Sequence, residues 1–500
     1  MKIKPTEQEI KNALEINEQN GSFYIFSVSC EILADLDTPV STYHKICKKK
    51  PYSYLLESVE GGEKLGRYSL IGTDPLLLFT SKHDKTFLEN INENKKTELD
   101  PNPFIALKNV LGNIVSLTDS TKNFLGFVGY FGYENIRWVE PKTGVKTCES
   151  LPDACLILPE KIVVFDHILH KVNLILNTVI SKKEDFDSKY LEARKKLEDF
   201  LSEFYKPQTL KPLLLKYNEE NKPNYKSNYT KEEFINLVKK AKEYIHKGDI
   251  FQIVLSQKLS IEGAFDGLSL YRALRSINPS PYLFYLNLNK FELAGSSPEV
   301  MVKLQNQNST PVASLRPIAG TYPRGENEEE DLKNISKLLA DPKERAEHIM
   351  LVDLARNDLG RVCKAGSIKT SELMVIEKYS HVLHMVSQVE GILQKGKKSI
   401  DLLSACFPAG TLSGAPKIRA MEIINELEAH ERGPYGGCIG FFGLDNSINT
   451  AMTIRTFVIS KDKTEIQVGA GIVSDSKAEN EYNETLRKGA ALLKALSLIS

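Results

Sequence analysis

Apolar residues fall into short, strand-like runs through the first third of the chain. Beyond that, such runs alternate with stretches at helical spacing. The first twenty residues are polar and predict a short helix. From Gly21 to about Ile180 the pattern favours strands and turns. Its clearest runs are SFYIFSVS (22–29), YSYLLES (52–58) and KIVVFDHILHKVNLILNTVI (161–180), the last split into two strands near His167 and His170. Glycines at 61, 62 and 66, and others in FLGFVGYFGYE (124–134), punctuate this region. Ser181 to Phe204 reads as a charged amphipathic helix. Residues 205–229 carry three prolines and many Asn and Lys, the composition of a linker. Thr230 and Glu233 then have capping-box spacing, Phe234, Leu237, Val238, Ala241 and Ile245 recur at helical spacing, and Gly248 offers a stop. Further strand-like runs lie at 250–260, 282–289, 291–304, 450–459 and 464–473, and helices at 327–361, 398–406, 415–429 and 477–497. The expected organisation is a first domain over 1–204, a linker over 205–229 and a second domain over 230–500.

Composition removes several classes. Lys plus Arg and Asp plus Glu are both 65, so no global field exists for gathering DNA or RNA. Hydrophobic residues make up 41%, enough for large cores, yet no run approaches the ~18 apolar residues of a membrane span. Seven scattered cysteines, with no CxxC, fit reduced thiols rather than a disulfide framework or zinc ribbon. The start, MKIKPTEQEIKNAL, lacks the apolar core of a secretory signal, and a cytoplasmic protein is expected.

Candidate chemistry is dispersed. Glu347 and His348 sit beside an apolar stripe in KERAEHIMLVDLARNDLGRV (343–362). Glu481 and Glu484 are three apart, which puts two carboxylates on one helical face. Such a pair needs a cation or a shared proton, and hard oxygen ligands from two helices suit Mg²⁺. Taken singly, each of these acids is also an ordinary solvated helix residue. Gly469 and Gly471, in VGAGIVSDS (468–476), allow close backbone approach to an anion. Arg455 lies inside a strand-like run, where burial would demand an anionic partner. His381 and His384 of HVLH are weak evidence for a metal. A phosphate-binding P-loop is absent, and no cysteine sits in a glutaminase-type elbow.

Together and in order, these segments resemble the chorismate-utilising enzymes, and most of all their anthranilate synthase component I branch. The motifs are PIAGTYPRG (317–325), ERAEHIMLVDLARNDLGRVC (344–363), ACFPAGTLSGAPKIRAMEII (405–424), GPYGGCIGFF (433–442), IRT (454–456), GAGIVSDS (469–476) and EYNETLRK (481–488), with YLLES (54–58) in the first half. The resemblance implies an α+β fold with a large antiparallel β-sandwich-like core flanked by helices. It implies Mg²⁺ on Glu347 and Glu484, with Glu481 as the neighbouring proton-transfer or water-mediated acid. The chorismate site would draw on Gly320, Thr321, Tyr435, Arg455, Gly469, Ala470 and Gly471, with His384 and Thr411 at the reacting end. A tryptophan feedback pocket would involve Ser58, Pro281, Tyr282 and Leu283. The implied reaction joins chorismate and ammonia into anthranilate and pyruvate. The ammonia would come from a partner glutamine amidotransferase subunit in a heterotetramer; no nucleic acid or membrane partner is expected. Ala319 stands where aminodeoxychorismate synthases carry a nucleophilic lysine, and Gln252 where isochorismate and salicylate synthases carry a water-activating one. Two alternatives remain at this stage: an aminodeoxychorismate synthase and a non-catalytic tryptophan-binding homologue.

Overall fold

The computed structural model describes every residue except 1, 18–22, 49, 61–63, 181–184, 216–222, 264, 380–381 and 500. Gly21, Gly61, Gly62, Ser181, His381 and the middle of the expected linker therefore lie outside the described residues. Among those described, 23 strands form one continuous hydrogen-bonded network, with helices packed against it. Its pairings are antiparallel except for a short parallel contact between Phe23–Leu33 and Ile114–Ser116. This is the mixed α and β architecture with a large antiparallel sheet that the resemblance implies.

Pairing runs across the 205–229 segment. Ser53–Glu57 lies beside Tyr282–Asn287, and Gly126–Phe131 lies beside Cys438–Gly443. The two largest apolar cores are likewise shared: one joins Phe104 and Phe131 to Phe407 and Phe442, the other Phe26 and Leu197 to Leu259 and Leu496. Such extensive shared burial is the main stabilising contribution to a fold of this kind.

Several expected elements divide where local chemistry dictates. The helix expected over 327–361 is two, Glu328–Ala340 and Pro342–Gly360. Asp341 separates them: its carboxylate accepts from the N–H groups of Lys343 and Glu344, and Pro342 occupies the first turn. The run expected over 291–304 breaks at Pro298 into Phe291–Ser297 and Val300–Gln307. The run over 450–459 breaks into Ile448–Met452 and Thr456–Ser460 around Arg455. The capping box at Thr230 and Glu233 forms as the spacing predicts. Helices Pro39–Cys47, Pro103–Asn113 and Gly267–Ile277, and the strands Lys369–Lys378 and Val382–Ile392, were not among the expected elements. No helix among the described residues is long and apolar enough to cross a membrane.

Candidate active site

Two strand pairs and two helices converge on a cavity of about 290 Å³. One wall is the antiparallel pair Gln252–Glu262 and Lys463–Ile472, in which Val254 faces Gly471 and Ser256 faces Gly469. The opposite wall is Ile318–Pro323 against Val382–Ile392, where Thr321 faces His384 across a bulge at Gly320. Gly320 takes φ +70°, a left-handed conformation that favours glycine, and a Cβ there would lie 2.9 Å from Leu338. Glu347 of Pro342–Gly360 and Glu484 of Ala478–Ile499 both line this cavity. So do Thr321, His384, Thr411, Tyr435, Arg455, Gly469 and Gly471.

Gly469 and Gly471 lie within a strand rather than in a turn. They stand beyond Ile466, where pairing with Thr456–Ser460 ends. A Cβ on Gly469 would come 2.5 Å from the Tyr435 hydroxyl oxygen, and one on Gly471 would come 2.8 Å from Gln252 Nε2. At Gly469, where Leu255 O also lies 2.9 Å from that position, only glycine fits without a shift; at Gly471 the absent side chain leaves room for the Gln252 amide. Ala470 is fully buried on the other face of the strand and is not among the cavity-lining residues. Glu481 does not line the cavity either. It lies one turn before Glu484, where its charge still acts on Lys488.

The cavity is electrostatically polarised. Arg455 is left-handed at φ +51° and donates from a guanidinium nitrogen to Lys488 O at 2.8 Å. Burial pushes its pKa down, while the charge of Glu484 opposes that. Among the described residues no carboxylate forms a salt bridge with this guanidinium, so the cavity holds a cationic fork without a matched anion. Lys488 lines the same space: its ammonium donates to Gly469 O at 3.1 Å, stands 3.9 Å from Glu484, and is lowered in pKa by burial. Glu484 also pairs with Arg487 at 2.7 Å. His384 Nδ1 lies 3.3 Å from Gly320 O and 3.1 Å from Thr321 Oγ1, and burial holds the imidazole below its ordinary pKa, hence neutral at pH 7.

Sequence reasoning missed Glu299, which lines the cavity at 9% exposure. Burial raises its pKa from the ordinary 4.5 to about 8, against the lowering effects of a hydrogen bond from Thr411 Oγ1 at 3.2 Å and of the Lys488 charge. Glu299 is therefore a neutral carboxylic acid at pH 7, the state a proton donor needs. The signal was present: an acid inside the apolar run 291–304 poses the same question as Arg455 inside its own run. Lys488, one helical turn beyond Glu484, was missed as well, as was Gln467.

Arg432, only 3% exposed, anchors the Gln252–Glu262 strand and the Gly410–Leu412 turn behind this surface. It donates to both Glu428 oxygens at 2.8 Å, to Leu412 O at 2.8 Å and to Val254 O at 2.8 Å. For a metal, the donors within the cavity are Glu347 and Glu484. Among the described residues no three His, Cys, Asp or Glu side chains gather into a metal site. Two hard-oxygen carboxylates in one cavity fit a magnesium ion, which Glu347 and Glu484 would hold.

The four residues expected at a feedback pocket lie apart from this cavity. Leu283, nearly fully buried, faces Glu57 across the Ser53–Glu57 and Tyr282–Asn287 pair, with Ser58 next in sequence. Pro281 and Tyr282 are half-buried, and the Tyr282 hydroxyl donates to Asn449 at 3.2 Å.

A cavity that presents two carboxylates, a neutral acid and an unmatched guanidinium suits a small dianion bound with a divalent cation. The class this defines is met in the comparisons: the profile of the chorismate binding enzymes matches residues 52–494. Anthranilate synthase component 1 of a Synechocystis strain is 46% identical over 96% of this chain and 97% of its own length. That of Acetivibrio thermocellus is 41% identical over 96% and 97%. The crystal structure of anthranilate synthase component I from Streptococcus pneumoniae superposes with a TM-score of 0.75 at 32% identity, covering 92% of this chain and 99% of that one. The chain belongs to the chorismate-utilising enzymes, in the anthranilate synthase component I family.

Proposed function

We propose that this enzyme converts chorismate and ammonia to anthranilate and pyruvate, and that tryptophan inhibits it. The observation that carries the chemical reading is one cavity holding Arg455, Lys488, Glu347, Glu484, His384 and a buried Glu299. Arg455 grips one substrate carboxylate with its planar fork, and Tyr435 packs beside it. Glu347 and Glu484 would hold Mg²⁺ against the ring carboxylate. When bound, the ion supplies Lewis-acid stabilisation of the charge that develops there.

Ammonia attacks ring carbon C2, the ring double bonds shift, and the C4–O bond breaks. Glu299 gives its proton to the departing hydroxyl, which leaves as water. The resulting carboxylate is stabilised by the neighbouring Lys488 charge and regains a proton from the newly formed ammonium group by way of solvent. In the second half, His384 accepts the proton on C2. With Nδ1 donating to Gly320 O, Nε2 is free to act as the base. The C3–O bond then breaks, the ring becomes aromatic, and the expelled enolpyruvate is protonated to pyruvate. Ala319 and Gln252 both line the cavity, so neither position supplies the lysine that would favour a 4-amino or hydroxylated product.

The partner subunit in this reading is a glutamine amidotransferase that supplies ammonia within a heterotetramer. Tryptophan would bind at Ser58, Pro281, Tyr282 and Leu283. All seven cysteines are free and buried, which supports a reducing, cytoplasmic setting. The test incubates purified protein with chorismate, Mg²⁺ and excess ammonium at alkaline pH and separates the products. Anthranilate is expected, while glutamine without a partner subunit should give none. A 4-amino product, or tryptophan binding without any turnover, would overturn the reading.

A further inference from the structure

Helix Pro342–Gly360 presents Glu347 and Leu351, one turn apart, to the cavity. The adjoining stripe of His348, Val352, Ala355 and Leu359 is buried against the rest of the fold. Three of these four are apolar. Apolar contact is non-directional, and helices held by it alone can shift by about 1–2 Å past their neighbours. His348 is different. It is fully buried, and its Nε2 lies 2.6 Å from the Oγ of Ser387, which is fully buried as well. The other ring nitrogen, Nδ1, has no partner among the described residues, so the bond to Ser387 is the ring's single polar attachment there.

Ser387 sits where the sheet is already pinned. Glu372 pairs with Gln388 and Val375 with Val386, so Leu373 and Met374 together stand opposite Ser387, in a bulge. Met374 is left-handed there at φ +56°, and its N–H donates to the Ser387 hydroxyl at 2.9 Å. Ser387 N donates in turn to Pro317 O at 3.1 Å, just before the Ile318–Pro323 strand. His348 therefore fastens the helix to the wall that carries Thr321 and His384. A second polar anchor lies ten residues on, where Lys417 Nζ meets both Asp358 oxygens at 2.7 and 2.8 Å. At the rise of an α-helix that is about 15 Å further along. His348, by contrast, adjoins Glu347.

We propose that His348 and Ser387 are positioning residues that set the affinity of the site for its divalent cation, by holding Glu347 in place opposite Glu484. The proposal rests on the Mg²⁺ reading above. Loss of a partner that orients a metal-binding side chain typically costs about 10–100-fold in affinity. Arg455 grips the substrate from a different wall, so a shift of Glu347 weakens the cation and leaves that grip intact.

The experiment titrates the whole enzyme with Mn²⁺, a paramagnetic stand-in for Mg²⁺, and counts the free ion by electron paramagnetic resonance. Chorismate is present and ammonia is left out. Ser387→Ala and His348→Leu should each lower Mn²⁺ affinity by about 10–100-fold. His348→Gln, whose amide can reach the Ser387 hydroxyl from nearly the same place as Nε2, should stay within about threefold of wild type. With ammonium and saturating Mg²⁺, kcat and the KM for chorismate should return to within about threefold of wild type in all three variants. Leu359→Ala, on the same helix but far from Glu347, separates positioning from general loosening: it should lower the urea midpoint and leave Mn²⁺ affinity unchanged. Wild-type affinity in both Ser387→Ala and His348→Leu would refute the inference, as would an equal loss in His348→Gln or in Leu359→Ala. Wild-type protein that binds no Mn²⁺, or binding that survives Glu484→Ala, would remove the metal reading and this inference with it.

Discussion

Glu299→Gln isolates the proton donor with little change in shape. The amide oxygen can still accept from the Thr411 hydroxyl at the 3.2 Å position, so the change removes a proton rather than a contact. Loss of a general acid costs about 10²–10⁴ in rate, or about 3–5 kcal/mol of barrier. The pH dependence follows from burial. With a pKa of about 8, Glu299 is protonated and active below that pH, and the wild-type rate per free ammonia falls as pH rises through 8. The variant should lose this limb. Stability gives a second readout with its own sign. A carboxyl raised from 4.5 to about 8 in the folded state favours folding fully below pH 4.5 and loses that contribution as pH rises through 8. Above pH 8 the wild type bears an ionisation penalty of roughly 4–5 kcal/mol that the glutamine variant lacks. The variant should therefore be slower yet more resistant to urea at pH 9. Anthranilate fluorescence with ammonium, followed from pH 6 to 10, and urea melts at pH 5 and 9 check both. A variant within tenfold of the wild-type rate, or one that keeps the alkaline limb, would refute the assignment.

Glu484→Ala should abolish turnover and the Mg²⁺ dependence of chorismate binding, measured by titration calorimetry; near-normal activity would remove the metal assignment. Arg432→Met leaves Glu428 buried without its cationic partner, and should cost about 3–5 kcal/mol in denaturant melts; a change below 1 kcal/mol would show that the Arg432–Glu428 pair does not brace the fold behind the cavity.

The chemistry was more legible in the sequence than its arrangement. Glu347, Glu484, Thr411, Tyr435 and Arg455 were each marked by an ordered motif, His384 by the resemblance, and they line one cavity. Glu481 stood in the same motif but points from a neighbouring turn, because three residues on a helix bring side chains near each other without bringing both to one cavity. Glu299 stood as an acid inside an apolar run, a signal that raises the question of burial without answering it. Its meaning comes from burial beside Thr411, which is more than 100 residues away. Some missed helices did carry local signals: Thr38, Asn102 and Asp266 cap theirs with side-chain hydrogen bonds, the first two followed at once by proline. The cross-sheet partners of Ser53–Glu57 and Gly126–Phe131 were unreadable, because nothing local specifies a strand some 200–300 residues distant.

Those long-range partners bear on how the polypeptide can be divided. A single proteolytic nick in 205–215 would leave the fragments laced together, and activity should survive it. Fragments synthesised separately at the same point would each begin life with raw, unpaired borders, prone to self-association before they meet.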